Sequence, residues 1–474
     1  MAHIHREPYI VLSGLTHESA LITWGGFFFD ITGEEVDGRF KIIADKDLKH
    51  INPPRKNSIG ESSAFYGPAR VTVREKGGGG QPVVVEVAGD KPETRVNYAW
   101  ARGLKPDTEY VYALEVKGEP WADEERRDWV FRNGKQGMFT NKGRYVNEFR
   151  THPRPDQQTP DFVFAVIGDF GRGVKSPSTQ TSRQREVAAA LARAVEEKGV
   201  RFVLTTGDNI YAGGGSDSDW FFAYYQPYRY ILNRIPVYPS CGNHDTGESE
   251  GDASDEFSDD YDELLDNFYI RQRFLTEDDE GDGVKENGLF YTFKFGRDFE
   301  FFSIDTSKQR KQQPRSFERP DNLNLVKGWL PNTQGHATTV WRVPFFHHPA
   351  FCYGPEHGDT QEVIDKLVPV FEGGGVRLVL CGHEHNLQAL TRNQITYLLT
   401  GGAGEVRPGN LSAGAQENNV AWSPTPHFLL CEYKGAKLRV TPYGELVGGA
   451  LAPLNDVKDP QGNDVTLPFV VTLT

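Results

Sequence analysis

Five apolar runs punctuate the chain between residues 160 and 385, and each ends in a polar, glycine-marked tip. The runs are 162–167, 202–204, 235–238, 340–346 and 376–380. Hydrophobicity that is continuous rather than alternating predicts strands covered on both faces. Over residues 182–198 the period changes. Val187, Ala190, Leu191, Ala194 and Val195 recur at helical spacing, with Ser182 as the expected N-cap and Gly199 as the stop. Strand, helix and strand within about forty residues make a βαβ unit, so the first two tips should share one sheet edge. Further along, the pattern predicts an aromatic-rich helix over 220–232 packed on the sheet and a hairpin of 290–295 with 299–304. It also predicts a helix over 359–371 and strands at 394–400, 428–433 and 437–440.

Residues 1–155 read differently. Short strands at 20–24, 69–73, 82–87 and 110–116 are joined by turn signals such as Pro106-Asp107, and no helical period intervenes. The stretches 25–65 and 117–146 look like insertions in this all-β region. A polar, proline-rich linker, 153–160, follows. The expected organisation is therefore an N-terminal β-domain over 1–155 and an α/β domain over 160–474.

Composition narrows the chemistry. A net charge of −14 over 474 residues disfavours a nucleic-acid polymer as partner, so any phosphate recognition must be local. The strongly acidic stretch 246–285 reads as a solvated surface. Four cysteines are too few for a disulfide scaffold. Cys241 and Cys381, at strand ends, read as buried thiols, with a disulfide or a thiolate ligand as the minority reading. No run approaches the ~20 apolar residues of a membrane span. The N-terminal residues carry no apolar core of a secretory signal, which favours a cytoplasmic location.

The candidate chemistry lies at the strand tips. In order they read Gly168-Asp169-Phe170-Gly171, Gly207-Asp208-Asn209-Ile210-Tyr211, Gly242-Asn243-His244-Asp245, His347-His348-Pro349 and Gly382-His383-Glu384-His385. Of thirteen histidines, five fall in these tips and His357 follows closely, a concentration that a merely structural role does not explain. In this order the five motifs resemble the metallophosphoesterase superfamily. The Tyr of Gly-Asp-x-x-Tyr resembles its purple acid phosphatase branch. The resemblance implies two stacked mixed sheets flanked by helices, preceded by a fibronectin-III-like sandwich. Phe149-Arg150-Thr151-His152-Pro153 is similar to the segment by which the family enters its catalytic domain. Relatives with this resemblance are often secreted, which pulls against the cytoplasmic reading.

The resemblance also implies a dinuclear metal site. Asp208 bridges the two ions; Asp169, Tyr211 and His385 complete one site, and Asn243, His347 and His383 the other. Phenolate and carboxylates are hard donors suited to Fe(III), whereas two imidazoles and an amide suit Zn, Mn or Fe(II). In an extended backbone His383 and His385 would point the same way and could serve both ions. His347 rather than His348 fits the His-x-Pro form, although Pro344 stands where the family carries Val. His244 is implied to face the phosphate and protonate the leaving group. His357, with Glu356 in place of a paired histidine, falls where plant-type relatives have substrate-facing histidines. His244, His348, Glu356 and His357 form the expected substrate-binding set, with His244 and His357 as the catalytic pair.

The expected function is hydrolysis of small phosphate monoesters, with hydroxide supplied by the metal pair. A phosphodiesterase or nucleotide hydrolase on the same site is the alternative. A non-catalytic binding protein with a degenerate metal domain is a more distant one.

Overall fold

The computed structural model describes the chain outside residues 1–3, 31–34, 37–38, 41–67, 89–96, 122–125, 133–134, 142–144, 172–182, 212–219, 249–258, 275–288, 333–339, 405, 408 and 474. Ser182, most of 25–65 and much of the acidic stretch fall outside the described residues. Within that stretch, Asp259–Asn267 and Ile270–Phe274 form two short helices.

The chain divides into two compact units. Residues 1–154 form most of the first, which also takes in chain from Ser216–Pro236; the bulk of the remainder forms the second. In the first unit, strands Ile4–Leu15, Ser19–Asp30 and Tyr98–Arg102 make one antiparallel sheet. Glu148–Arg150, Glu109–Val116, Ala69–Glu75 and Val83–Val87 make another, with Glu119–Pro120 paired to Glu109–Val116. Period-two alternation decides which side chains go inside. Along Glu109–Val116, Tyr110, Tyr112, Leu114 and Val116 are buried while Val111 and Ala113 are exposed. They join Leu12, Ile22, Trp24, Val71 and Val73 in one core between the sheets.

The 220–232 segment corrects its expectation. It is no continuous helix but a π-helical turn, Phe221–Tyr225, followed by one helical turn, Arg229–Leu232. Its partners lie in the first unit. Tyr225 stacks on Tyr9 with ring centroids 4.2 Å apart, the Tyr112 hydroxyl donates to the Asn233 carbonyl at 2.7 Å, and Arg234 pairs with Glu148 at 2.9 Å.

The second unit holds two mixed sheets. One runs Val237–Tyr238, Val200–Thr205, Phe162–Ile167, Phe428–Lys434, Lys437–Tyr443 and Phe469–Val471, its first three strands parallel. The other runs Tyr291–Lys294, Phe299–Ser303, Trp341–Phe345, Leu378–Cys381, Ile395–Thr400, Leu387–Arg392 and Ala421–Ser423, parallel from Phe299 through Ile395. Phe164 and Phe202 of the first sheet meet Phe301 of the second edge-to-face at 5.4 and 5.3 Å, so the sheets pack through aromatic rings. Helix Gln184–Lys198 buries Val187, Leu191, Ala194 and Val195 and ends at Gly199 in the left-handed region, as its sequence predicts. The 359–371 helix is instead two pieces, Gln361–Lys366 and Val368–Gly373, broken at Leu367. Pro369 lacks the N–H that a continuous helix needs there. All four cysteines are buried and free.

Candidate metal centre

All five motifs follow C-terminal ends of parallel strands. Asp169, Asp208 with Tyr211, and Asn243 come from the first sheet; His347 and the His383/His385 pair come from the second. Backbone bonds knit the tips together. The Asp169 N–H donates to Gly207 O at 3.2 Å, and Gly382 N–H to His347 O at 3.0 Å. Two of the motif glycines are needed for this closeness. A Cβ on Gly242 would lie 2.2 Å from the Asp208 carboxylate, and one on Gly382 2.5 Å from that of Asp169. Asp169, Asp208 and His383 hold φ values of 54°, 48° and 76°. Left-handed backbone at non-glycine residues costs about 1–3 kcal/mol each and clusters at functional sites.

The polar atoms collect in two groups. Tyr211 Oη lies 2.9 Å from Asp169 Oδ1 and 2.8 Å from His385 Nε2. His347 Nε2 lies 2.9 Å from Asn243 Oδ1, 3.1 Å from His383 Nδ1 and 3.3 Å from Asp208 Oδ1. His347 Nδ1 faces the Thr206 carbonyl at 2.9 Å, so that nitrogen carries its proton there and Nε2 turns an electron pair toward the other three atoms. A single ring nitrogen cannot satisfy all of them by hydrogen bonding. A cation can. One other relief is a second proton on His347. Burial disfavours this, but the Asp208 and Asp169 carboxylates raise the group up to about 9. Burial works against the Asp208 carboxylate too, yet the His347 charge and hydrogen bond hold it well below its usual range. The donor set therefore fits metal ions. Asp169, Asp208 and His347, and separately His347, His348 and His383, bring ligand atoms within 4.8 Å of one another.

The neighbours hold this array. The Asp208 Oδ1 accepts the His244 N–H at 2.9 Å, and Asp169 Oδ2 the His383 N–H at 2.9 Å. Asp245 is buried and receives four N–H groups, from Asn209 N, Asn209 Nδ2, Ile210 N and Gly242 N, at 2.8–3.3 Å. Burial and the Asp208 charge push Asp245 up to about 7 against those bonds. Asp245 thus clamps the Asp208 loop to the Asn243 turn.

The expected substrate residues separate. The half-buried His244 ring lies 4.6 Å from that of Tyr211. The His357 ring stacks on His383 at 3.9 Å. His348 is enclosed: its Nδ1 faces Thr306 Oγ1 at 3.2 Å and its Nε2 Glu248 at 3.8 Å, although its ring is only 4.5 Å from that of His383. Glu356 is exposed. His383 and His385 do serve the two groups of atoms, but through a left-handed turn at His383 rather than through extended backbone.

Three residues escaped the sequence reading. Glu384, fully buried, accepts the His357 N–H at 2.8 Å and lies 3.6 Å from Arg407; Glu248 backs His348. Glu384 was within a motif as an unassigned position, whereas Arg407 and Glu248 carry no local signal.

Comparison with known proteins bears directly on this arrangement. The calcineurin-like phosphoesterase family profile matches residues 162–387, the stretch that contains every candidate ligand. Tartrate-resistant acid phosphatase type 5 of Oryctolagus cuniculus is 30% identical over 54% of this chain and 77% of its own length. The chain is a purple acid phosphatase-like member of the calcineurin-like phosphoesterases. Purple acid phosphatase 4 of Arabidopsis thaliana is 28% identical, over 54% of this chain and 71% of that one. In fold, the chain resembles the purple acid phosphatase PPD1 of yellow lupin, with a TM-score of 0.58 and 13% identity, over 99% of this chain and 74% of that one. As a member of this family the chain is a hydrolase of phosphate esters, and its histidines and aspartates form groups able to hold metal. No helix among the described residues is long and apolar enough to cross a membrane.

Proposed function

We propose that the chain is an acid phosphatase that hydrolyses small phosphate monoesters at a dinuclear centre. Asp169, Asp208, Tyr211 and His385 would hold Fe(III), and Asp208, Asn243, His347 and His383 would hold Zn, Mn or Fe(II). The observation that carries this reading is the convergence of Asn243, His383 and Asp208 on one nitrogen of His347, beside the Tyr211–Asp169–His385 group. Two ions held there would neutralise the phosphate charge and make hydroxide available near neutral pH. The remaining work falls to the chain. Asp245 and the His244 N–H fix the Asp208 loop, and Thr206 fixes the tautomer of His347. The His244 imidazole, beside Tyr211, protonates the departing alkoxide, and His357, stacked on His383, hydrogen-bonds the phosphate. The strand orders of the first unit support a fibronectin-III-like sandwich there.

The test is metal content by mass spectrometry together with the visible spectrum of protein purified without chelator. Two metals per chain including iron, a violet band that Tyr211→Phe bleaches, and faster turnover of p-nitrophenyl phosphate than of its diester are expected. Two metals without iron or colour would remove the iron assignment. A faster diester rate would move the function to a phosphodiesterase.

A further inference from the structure

The segment that carries His357 has no helix or strand of its own to hold it. It lies between the Trp341–Phe345 strand and the Gln361–Lys366 helix, and residues 355, 356, 358 and 359 are exposed. The His357 ring nevertheless stacks on that of His383 at 3.9 Å, with 23° between the planes. A row of buried polar side chains holds the segment. Glu384, Asn386 and Gln388 stand two residues apart, and none is more than 1% exposed. The Gln388 amide donates to Asn386 Oδ1 at 3.0 Å, and the Asn386 amide reaches Glu384 Oε1 at 3.5 Å. The row meets the segment at both ends. Gln388 Oε1 accepts the Tyr353 N–H at 2.9 Å, and Glu384 Oε2 accepts the His357 N–H at 2.8 Å. The His357 carbonyl accepts from the Cys352 thiol at 3.2 Å, so both backbone polar groups of His357 are held. A Cβ on Gly354 would lie 2.3 Å from Glu384 Cγ, so the segment passes directly against that side chain.

A buried carboxylate is costly unless its oxygens are matched. Here the His357 N–H and the Arg407 guanidinium, 3.6 Å from Oε2, match them. Glu384 also stands between His383 and His385. The turn that presents those two ligands and the segment that presents His357 are therefore fixed to one another through a single side chain. We propose that Glu384, seated by Asn386 and Gln388, is a positioning residue for phosphate-ester hydrolysis: it sets His357 against His383 and so aims it at the bound phosphate. This rests on the reading of His357 as a phosphate-binding group and adds what orients it.

The experiment is a double-mutant cycle on the full, metal-loaded chain, with E384A, H357A and the double variant matched for metal content and assayed on p-nitrophenyl phosphate. A hydrogen bond to a charged group is worth roughly ten- to a hundredfold, which sets the loss in kcat/KM expected of H357A. E384A should lose most of the same factor, and E384Q, which keeps an acceptor, should recover part of it. Because Glu384 acts through the His357 segment, the double variant should be no worse than H357A alone. A merely structural carboxylate would give losses that multiply, and that result would overturn the inference. Hydrogen exchange over residues 352–360, read by mass spectrometry, tests the positioning without turnover. Exchange there should be at least about tenfold faster in E384A than in wild type and unchanged in the Gln184–Lys198 helix. Wild-type exchange in the segment of E384A would overturn the inference whatever the kinetics. If E384A does not fold, Q388L, which loosens the other end of the row, takes its place in both experiments with the same expected directions. An H357A protein as active as wild type would overturn the phosphate-binding role of His357 and the kinetic consequence with it, while faster exchange in E384A would still identify Glu384 as what holds the segment.

Discussion

The two units bury different things. Among the described residues, the buried polar side chains on the strands of the first unit are Ser13, Ser19 and Thr23, all neutral, and off the strands that unit also encloses His152 and Arg229. The second encloses Asp169, Asp208, Asp245, Asp305, Glu384, His347, His348 and His385. Burying a charge costs several kcal/mol unless hydrogen bonds, a counter-charge or an ion compensates. Both units gain stability from apolar cores, and the second gives up part of that gain to hold reactive groups in fixed geometry. The left-handed backbone at Asp169, Asp208 and His383 adds to that expense.

Substitutions can break this contrast, and the largest effect belongs to Asp245. Asp245→Ala strands four buried N–H groups, and we expect it to destabilise the protein by about 3 kcal/mol even though it relieves repulsion from Asp208. Urea unfolding measures this, and a loss under ~1 kcal/mol would mean that the N–H groups find other partners. Asp245→Asn keeps acceptor capacity on one oxygen and should lose less.

A pH effect of similar size sharpens the comparison. His427 is fully enclosed, its Nδ1 donating to Thr425 O at 2.8 Å and its Nε2 accepting from Thr400 Oγ1 at 3.1 Å, and burial pushes it down to about 4. Unfolded, the same ring titrates near 6.5. Between those values the unfolded chain binds the extra proton. The stabilisation is therefore complete above pH 6.5 and is lost as pH falls toward 4, at a cost of about 3 kcal/mol. Thermal melts from pH 7 to pH 4.5 should fall more steeply for wild type than for His427→Gln; parallel profiles would remove His427 as the cause.

The smallest effect tests the quiet unit. Thr23→Val removes the 2.7 Å bond to Ser13 within an apolar setting and should lower stability by about 1 kcal/mol or less, with kcat/KM of the folded protein unchanged. A fall in kcat/KM would show that this core is coupled to the metal centre after all.

What could be read from the sequence tracks how local each signal is. The strand tips were legible because an apolar run, a glycine and a ligand-type residue stand side by side at each. The hairpin around Gly296 and the stop at Gly199 were legible for the same reason. Partners far along the chain were not. Trp220, Tyr224, Tyr225 and Tyr228 announce burial, but nothing in their spacing says that Tyr225 stacks on Tyr9 or that Asn233, just beyond them, meets Tyr112. The break at Leu367 had a local cause in Pro369, which the helical period outweighed. His383 takes a conformation that spacing does not reveal, and Arg407 acquires its setting only when the Ile395–Thr400 strand returns beside the Leu378–Cys381 strand. The helix takes Arg183 rather than Ser182 as its N-cap, and most of the 25–65 stretch lies outside the described residues.

The return of Ser216–Pro236 to the first unit has a consequence for how the chain comes off the ribosome and how it can be cut. A gene fragment ending at residue 155 would encode the strands of the first unit without the segment that supplies the Tyr225 ring and the Asn233 carbonyl. During translation, at ~5–20 residues per second, that segment emerges only after the Phe162–Ile167 and Val200–Thr205 strands are already outside. The nascent polypeptide must therefore carry two unsheltered parallel strands while its leading portion closes. Expression of isolated halves should accordingly yield poorly soluble material, and a dissection that leaves residue 236 attached to the amino-terminal portion would carry two of the five ligand-bearing strands with it.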